Sequence, residues 1–355
     1  MSKKDRIFIE IIVGLCLMTA AVYFFIKPPR ESIWPSGRAD VDSGRRMVMG
    51  TFARVIGVAA DSGTAKRSIE AAFAEITKVD ELMSDYKDDS EISQVNREGF
   101  KRAVEVSEPT YEVLQKAVEF SKLTGGAFDI TVGPLVDLWR SAEEANSVPT
   151  DAELAEARSR VGYDKLILDG NEMTVRFAVE GMRLDLGGIA KGYAIDRAVE
   201  AMRKEGALGG MVDIGGDIQC FGAPPEGKDR WRIGLQDSRA VGGDTEQGQI
   251  LMVLELTDAA VATSGDYQRF VFIEGERYSH IIDTETGYGS DELTSVTIIG
   301  KSAIDADLLA TAVSVMGVEN GLALVEQREQ AEAILVTSAP EYELIKSSGA
   351  ERFIE

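Results

Sequence analysis

The sequence predicts an α+β fold, a single large body of mixed sheets and helices arranged as two intimately joined lobes. Three observations carry that reading. Strand-like runs gather between helical stretches, without the strict alternation that a doubly wound parallel sheet requires. The 355 residues are 44 % hydrophobic and 28 % charged, the balance of a globular chain rather than a disordered or multi-span one. No internal repeat of fixed period and no low-complexity tract interrupts the pattern.

The first element is a membrane segment. Residues 1–6 carry Lys3, Lys4 and Arg6, and the apolar run from Ile7 to Ile26 is broken only by Glu10. About 20 such residues span a bilayer, and the basic flank holds 1–6 in the cytoplasm while the rest is sent outward. Residues 7–26 therefore read as a transmembrane signal-anchor or, because Thr19-Ala20-Ala21 offers a small-residue cleavage site, as a removable signal peptide. The expected location is the inner (cytoplasmic) membrane, with the body on its periplasmic or extracellular side. Pro28, Pro29 and Pro35 end any helix here, and 27–45 reads as a tether. Cys16 lies inside the run behind Leu15, where lipid attachment favours a small residue. Cys220 is the only other cysteine, so the exported body closes no internal disulfide.

The body begins with an extended stretch at Met47–Val58. Apolar residues at Ile69, Ala72, Phe73, Ile76, Val79 and Leu82 then recur at helical spacing over Thr64–Met83. A second helix is expected at Pro109–Leu123, with proline in its first turn and Gly125-Gly126 past its end. Ser141–Arg158 reads as a polar stretch, followed by strands near Lys165–Leu168 and Thr174–Phe177. A third helix follows Gly188 through Tyr193, Ile195, Ala198 and Met202. Strands are expected at Gly210–Ile214, Trp231–Leu235, Ile250–Leu256, Phe270–Ile273 and Ser295–Ile299. Helices at Ile304–Met316 and Asn320–Gln327 and a strand at Ala333–Val336 complete the series, leaving 341–355 as a C-terminal extension.

Charge poses the chemical question. Sixty acidic residues against 38 basic ones give a net charge of −22, which disfavours nucleic acid as a partner. Were the substrate an anion, positive charge would have to come from a few placed Lys or Arg residues or from a metal ion. Asp185-Leu-Gly-Gly-Ile-Ala-Lys191-Gly192 leads into a helix and suits either a phosphate seat or a plain tight turn. Asp307 and Thr311 stand four apart on a helix and share a face. Their hard oxygens suit Mg²⁺, whereas the same segment also suits a helix cap by Ser302 or Asp305. His280, between Ser279 and two isoleucines, fits a packed strand residue or a proton acceptor. One histidine and one exported cysteine do not furnish a zinc site.

Taken in order, these segments resemble the ApbE-type FAD:protein FMN transferases, a family of exported flavin-transferring enzymes. The matching pieces are Met49-Gly-Thr51, Met83-Ser-Asp-Tyr86 through Ser90, Gly126-Ala-Phe-Asp129 through Trp139, Asp185 through Asp196, Ile214-Gly-Gly-Asp217, Thr263-Ser-Gly-Asp-Tyr267, Ser279-His-Ile-Ile-Asp283, Thr286-Gly287 and Ala306-Asp307 through Thr311. They run from about Arg46 to Val336, so 46–340 reads as the catalytic domain. The sequence departs from the pattern at Thr284, where the family commonly has proline.

The resemblance implies Mg²⁺-dependent transfer of the FMN part of FAD to a threonine hydroxyl of an exported or membrane flavoprotein, with release of AMP. It implies an FAD site formed by Met49, Tyr86, Ala127, Phe128, Asp129, Asp185, Lys191 and Ile281. The implied metal ligands are the Gly188 carbonyl and the side chains of Asp307 and Thr311. His280 and Asp283 fall in the motif of the reacting centre, and either is a candidate for the base that takes the threonine proton. Two other readings stand beside it, an Mg²⁺-dependent FAD pyrophosphatase that uses water and a membrane-tethered flavin-binding protein without turnover.

Overall fold

The computed structural model describes residues 34–238, 249–265, 270–338 and 342–355. The apolar run at 7–26, and Asp266 and Tyr267 of the sixth matching piece, lie outside these residues. From Gly37 to Glu355 the chain forms one compact unit.

Strands β1 (Ala39–Val48) and β2 (Thr51–Ala59) make a hairpin through Met49 and Gly50, whose φ angles of 52° and 68° give the primed turn that matches strand twist. The single extended stretch expected at Met47–Val58 is thus two strands, and β1 begins inside the residues assigned to the tether. The hairpin continues into β6 (Gly209–Ile214), β7 (Asp217–Gly222), β10 (Ala259–Gly265), β13 (Leu293–Gly300), β14 (Glu332–Thr337) and β15 (Leu344–Lys346). Every neighbouring pair in this eight-stranded sheet is antiparallel, so the parallel alternative is excluded. Because β15 pairs with β14, these C-terminal residues are part of the sheet rather than an extension from it.

Smaller pieces surround the sheet. Strands β3 (Val104–Glu105), β4 (Leu166–Asp169) and β5 (Thr174–Phe177) join in the order β3-β5-β4, while β8 (Trp231–Gln236) pairs with β9 (Ile250–Leu256) and β11 (Phe270–Ile273) with β12 (Glu276–Ser279). The β8–β9 ribbon buries Trp231, Ile233, Leu235, Leu254 and Leu256 and exposes Arg232, Gly234 and Gln236, the alternation of a half-buried strand.

Helix α1 (Ser62–Met83) starts at Asp61, whose carboxylate accepts the Thr64 N–H at 2.9 Å, and buries Ile69, Ala72, Phe73, Ile76 and Val79. Helices α2 (Glu91–Glu98) and α3 (Glu108–Leu123) precede α4 (Gly133–Ala145) and α5 (Asp151–Ser159). The stretch Ser141–Arg158, read from the sequence only as polar, therefore contains the end of α4 and most of α5. A capping box sets the start of α5: Thr150 accepts the Glu153 N–H, and the Glu153 carboxylate accepts the Thr150 N–H at 2.8 Å.

Helix α6 (Ala190–Lys204) packs between α1 and the helical span α7 (Ala303–Glu326), and α7 lies on β10 and β13. Leu308, Leu309, Ala312 and Val313 are buried there, each leucine worth about 1.5–3 kcal/mol. Among the described residues α7 is long and apolar enough to cross a membrane, yet its place is in the body's core. It breaks at Gly317 (φ 73°, ψ −172°), between the two helices the sequence predicts. A Cβ on Gly192 would stand 2.5 Å from the Ala303 carbonyl oxygen, so only glycine lets α6 and α7 meet backbone to backbone. That close approach places Lys191 and Asp307 in one site.

Candidate active site

A cavity of about 740 Å³ collects residues that lie far apart in the chain. It brings together Tyr86, Ala127, Phe128, Asp129, Asp185, Gly188, Lys191, His280, Ile281, Asp307 and Thr311, eleven of the thirteen residues singled out from the sequence. Met49 and Asp283 are not on its wall. Met49 occupies the β1–β2 turn and packs against the main core, while its neighbour Thr51 faces the cavity. Asp283 serves its own turn: its carboxylate accepts the Glu285 N–H at 2.9 Å and the Thr286 N–H at 3.3 Å.

The floor is built at the start of α6 and α7. Ser302 caps α7 by accepting the Asp305 N–H, and the half-buried carboxylate of Asp196 accepts the Ala303 and Ile304 N–H groups at 2.9 and 3.0 Å. The cap expected as an alternative to a metal site is therefore present, and Asp307 stands beyond it, facing the cavity. Asp307 is 3 % exposed, and its Oδ2 accepts the Gly192 N–H at 3.0 Å. Burial pushes its carboxyl above the usual range, opposed by the nearby Lys191 ammonium and the Gly192 bond. Lys191 pairs with Asp217, which is also buried and accepts the Thr263 N–H at 3.1 Å. Two buried carboxylates thus stand near one ammonium, which is paired directly with Asp217.

The donor set fits Mg²⁺. Gly188 has no side chain, and a Cβ there would lie 2.7 Å from Thr311 Oγ1, so the Gly188 backbone closes on the Thr311 hydroxyl beside Asp307. One carboxylate, one hydroxyl and one carbonyl are hard oxygen donors that leave places for water and substrate oxygens. Among the described residues no group of three or more His, Cys, Asp or Glu side chains is placed to hold a metal, so any ion here rests on Asp307 as its charged ligand.

The side wall carries two more acids, Asp129 buried and Asp185 half-buried. Asp129 Oδ1 accepts the Thr131 N–H at 2.8 Å and its hydroxyl at 2.7 Å, and Oδ2 accepts the Tyr163 N–H at 2.8 Å. Asp185 Oδ1 accepts the Gly187 N–H at 2.7 Å. Burial raises both carboxyls, although these hydrogen bonds favour their charged forms. Cys220, also buried, has its thiol pushed well up and lies off the cavity wall, so it is not placed to act as a nucleophile.

The rim is open and aromatic. Tyr86 is 78 % exposed, and its hydroxyl accepts from Arg140 Nη2 at 3.2 Å. Arg140 lies on α4 and lines the cavity, so Lys191 is not the site's single Lys or Arg. Sequence reasoning missed it because an arginine on a polar helix face reads as solvated. Trp139 beside it donates Nε1–H to the Gly287 carbonyl at 2.8 Å and stacks near Tyr278 and Tyr288. Thr284, the departure from the family pattern, donates its hydroxyl to the Gly126 carbonyl at 2.9 Å. It therefore ties the His280 loop to the Ala127–Asp129 loop, a side-chain bond standing where a proline would stiffen the backbone.

One cavity thus carries an exposed tyrosine at its rim, a buried carboxylate beside a lysine at its floor and a histidine on its wall. The model of the ApbE family matches residues 49–335, and the chain belongs to that family. Relatives include the FAD:protein FMN transferase of Vibrio cholerae serotype O1, 36 % identical over 298 residues that cover 83 % of this chain and 86 % of the relative. That of Treponema pallidum is 31 % identical over 316 residues, covering 84 % and 86 %. Among solved structures, the ApbE protein of Thermotoga maritima matches with a TM-score of 0.78 and 32 % identity, covering 90 % of this chain and 99 % of that one. The flavin transferase ApbE from Vibrio cholerae matches with a TM-score of 0.75 and 32 % identity, covering 90 % and 100 %.

Proposed function

We propose that this chain is an FAD:protein FMN transferase that moves FMN from FAD to a threonine of an acceptor flavoprotein. The threonine Oγ attacks the FMN phosphorus, a new P–O bond forms, the P–O bond to AMP breaks, and AMP leaves. His280 takes the threonine proton, since it lines the cavity whereas the Asp283 carboxylate is engaged by its own turn. Asp283 holds the loop that carries His280. The carrying observation is that a single cavity unites the aromatic rim, His280 and the acid–lysine floor, in a chain whose relatives bear this name.

Tyr86 stacks on a ring of FAD, and Ala127, Phe128 and Ile281 give the flavin apolar wall. Asp307, Thr311 and the Gly188 carbonyl hold Mg²⁺, which when bound supplies the positive charge that a pyrophosphate needs in this acidic floor. Lys191 keeps Asp217 neutralised and limits the repulsion Asp307 feels. Positioning and charge balance account for most of the rate in such chemistry. The body is held on the periplasmic or extracellular face of the cytoplasmic membrane by residues 7–26, a reading that rests on Lys3, Lys4 and Arg6 preceding the apolar run.

The test is incubation of the protein with FAD, MgCl₂ and a candidate acceptor flavoprotein, followed by mass spectrometry of the acceptor. The expected result is an added FMN mass on a threonine with AMP formed in equal amount. Free FMN and AMP at full rate without acceptor would identify a pyrophosphatase instead. FAD recovered intact would identify a binding protein.

A further inference from the structure

A second groove, of about 440 Å³, adjoins the active-site cavity and shares three wall residues with it, Thr51, Gly215 and Thr263. Its lining is mixed, apolar at Ile218, Ile233, Leu235, Leu254 and Val261 and polar at Arg45, Asp213 and Gln236, and it is bounded by Phe52 of the β1–β2 hairpin and by strand β8. Nothing in the chemistry above uses it.

Three features point to a protein occupant. Phe52 is 52 % exposed and stands opposite Met47, itself 71 % exposed, in the β1–β2 register, so a pair of large apolar side chains faces solvent beside the groove. Among the described residues β8 pairs only with β9, so no described strand pairs with its other edge. Finally, the shared residues make the groove continuous with the cavity in which phosphoryl transfer is placed.

We propose that this groove docks the acceptor: an extended segment adds to the edge of β8, sets an apolar side chain against Phe52, Ile233 and Leu235, and delivers its threonine past Thr51 and Thr263 into the cavity. The proposal rests on the transferase reading. It adds a recognition rule, that the acceptor presents an extended stretch with an apolar residue close to the receiving hydroxyl.

The experiment uses nonapeptides with threonine at the centre and all other positions randomised, incubated with the protein, FAD and MgCl₂; labelled peptides are identified by flavin fluorescence and mass. Labelled peptides are expected to be enriched in apolar residues near the threonine. For the best peptide, Phe52→Asp should raise KM about tenfold or more, Phe52→Tyr should stay within about twofold of wild type, and FAD affinity should be unchanged in both. Adding that peptide should slow hydrogen exchange in Trp231–Gln236. An unchanged KM in Phe52→Asp, no added protection of β8, or loss of FAD binding in that variant overturns the docking assignment while leaving the transferase intact. Concentration-dependent dimerisation that Phe52→Asp abolishes assigns the groove to a second copy and also overturns it. Free FMN and AMP with no labelled peptide overturns the transferase reading, and the docking proposal with it.

Discussion

At the cavity floor Asp217 and Asp307 are 2 % and 3 % exposed, and each is fixed by a backbone N–H; at the rim Tyr86 is 78 % exposed, its side chain held by Arg140. The floor is made where α6 and α7 touch across Gly192, so its geometry is set by core packing. The rim is made of loops and one helix face, which leaves room for a ring to enter and an acceptor to approach. Buried charges interact strongly because little water screens them, whereas exposed groups contribute contact and orientation. Substitutions at the floor should therefore remove turnover, and those at the rim should grade from loss of one step to loss of affinity.

The largest effect is expected at Asp307. Asp307→Ala removes the charged ligand of the floor and leaves Lys191 and Asp217 as a closed pair, so kcat should fall about 10³-fold. Mg²⁺ dependence of the residual rate should vanish, measured by titrating EDTA-treated protein with MgCl₂. Normal activity and an unaltered metal response would show that the floor does not hold the ion. His280→Ala comes next. Transfer should drop about 10²–10³-fold while FAD affinity, read by fluorescence quenching, stays within about threefold. An intact rate would make His280 a structural residue and return Asp283 to consideration.

Much of this contrast was legible from residue order. The floor motifs carry glycines and acids at fixed spacing, and Asp185 through Asp196 and Ala306 through Thr311 name their own site. Arg140 was not legible, since nothing in α4 distinguishes a cavity arginine from a solvated one before Tyr86 is placed beside it. Asp283 was ambiguous for a related reason: a carboxylate two residues before a backbone N–H makes a turn as readily as it makes a base. Met49 sits in the hairpin turn at a positive φ and off the cavity wall, a placement its sequence does not announce. In the fold, the helices with clear apolar periodicity were recoverable, and the break at Gly317 agreed with the two-helix reading of α7. Helix α5 was hidden by its polar composition although Thr150 and Glu153 spell a capping box. Strands β7, β10 and β12 were blurred by glycine-rich turns and by neighbours of mixed polarity.

On the rim, Tyr86→Ala should weaken FAD binding about tenfold, the worth of one stacked ring, with little change in kcat once FAD is saturating. A fall in kcat at unchanged affinity would move Tyr86 from holding the ring to aligning the phosphate.

The smallest effect tests how the rim is joined to the wall. Thr284→Val keeps the branched shape of the side chain and removes the hydroxyl that donates to the Gly126 carbonyl at 2.9 Å. The site is partly buried, so the lost bond is worth about 1 kcal/mol and the carbonyl is left to find water. Asp283 still binds the Glu285 and Thr286 N–H groups, and Trp139 still holds the Gly287 carbonyl, so the turn itself should survive. What should change is the registry of His280 against Ala127–Asp129. Transfer should fall about two- to threefold at saturating FAD, with FAD affinity nearly constant, because the ring contacts remain while the base wanders from the line of attack. Thr284→Pro supplies the alternative restraint found in the family pattern, through a fixed φ. If it restores the rate that valine loses, the hydroxyl serves to hold the loop; if both variants match wild type, the turn is rigid enough without either.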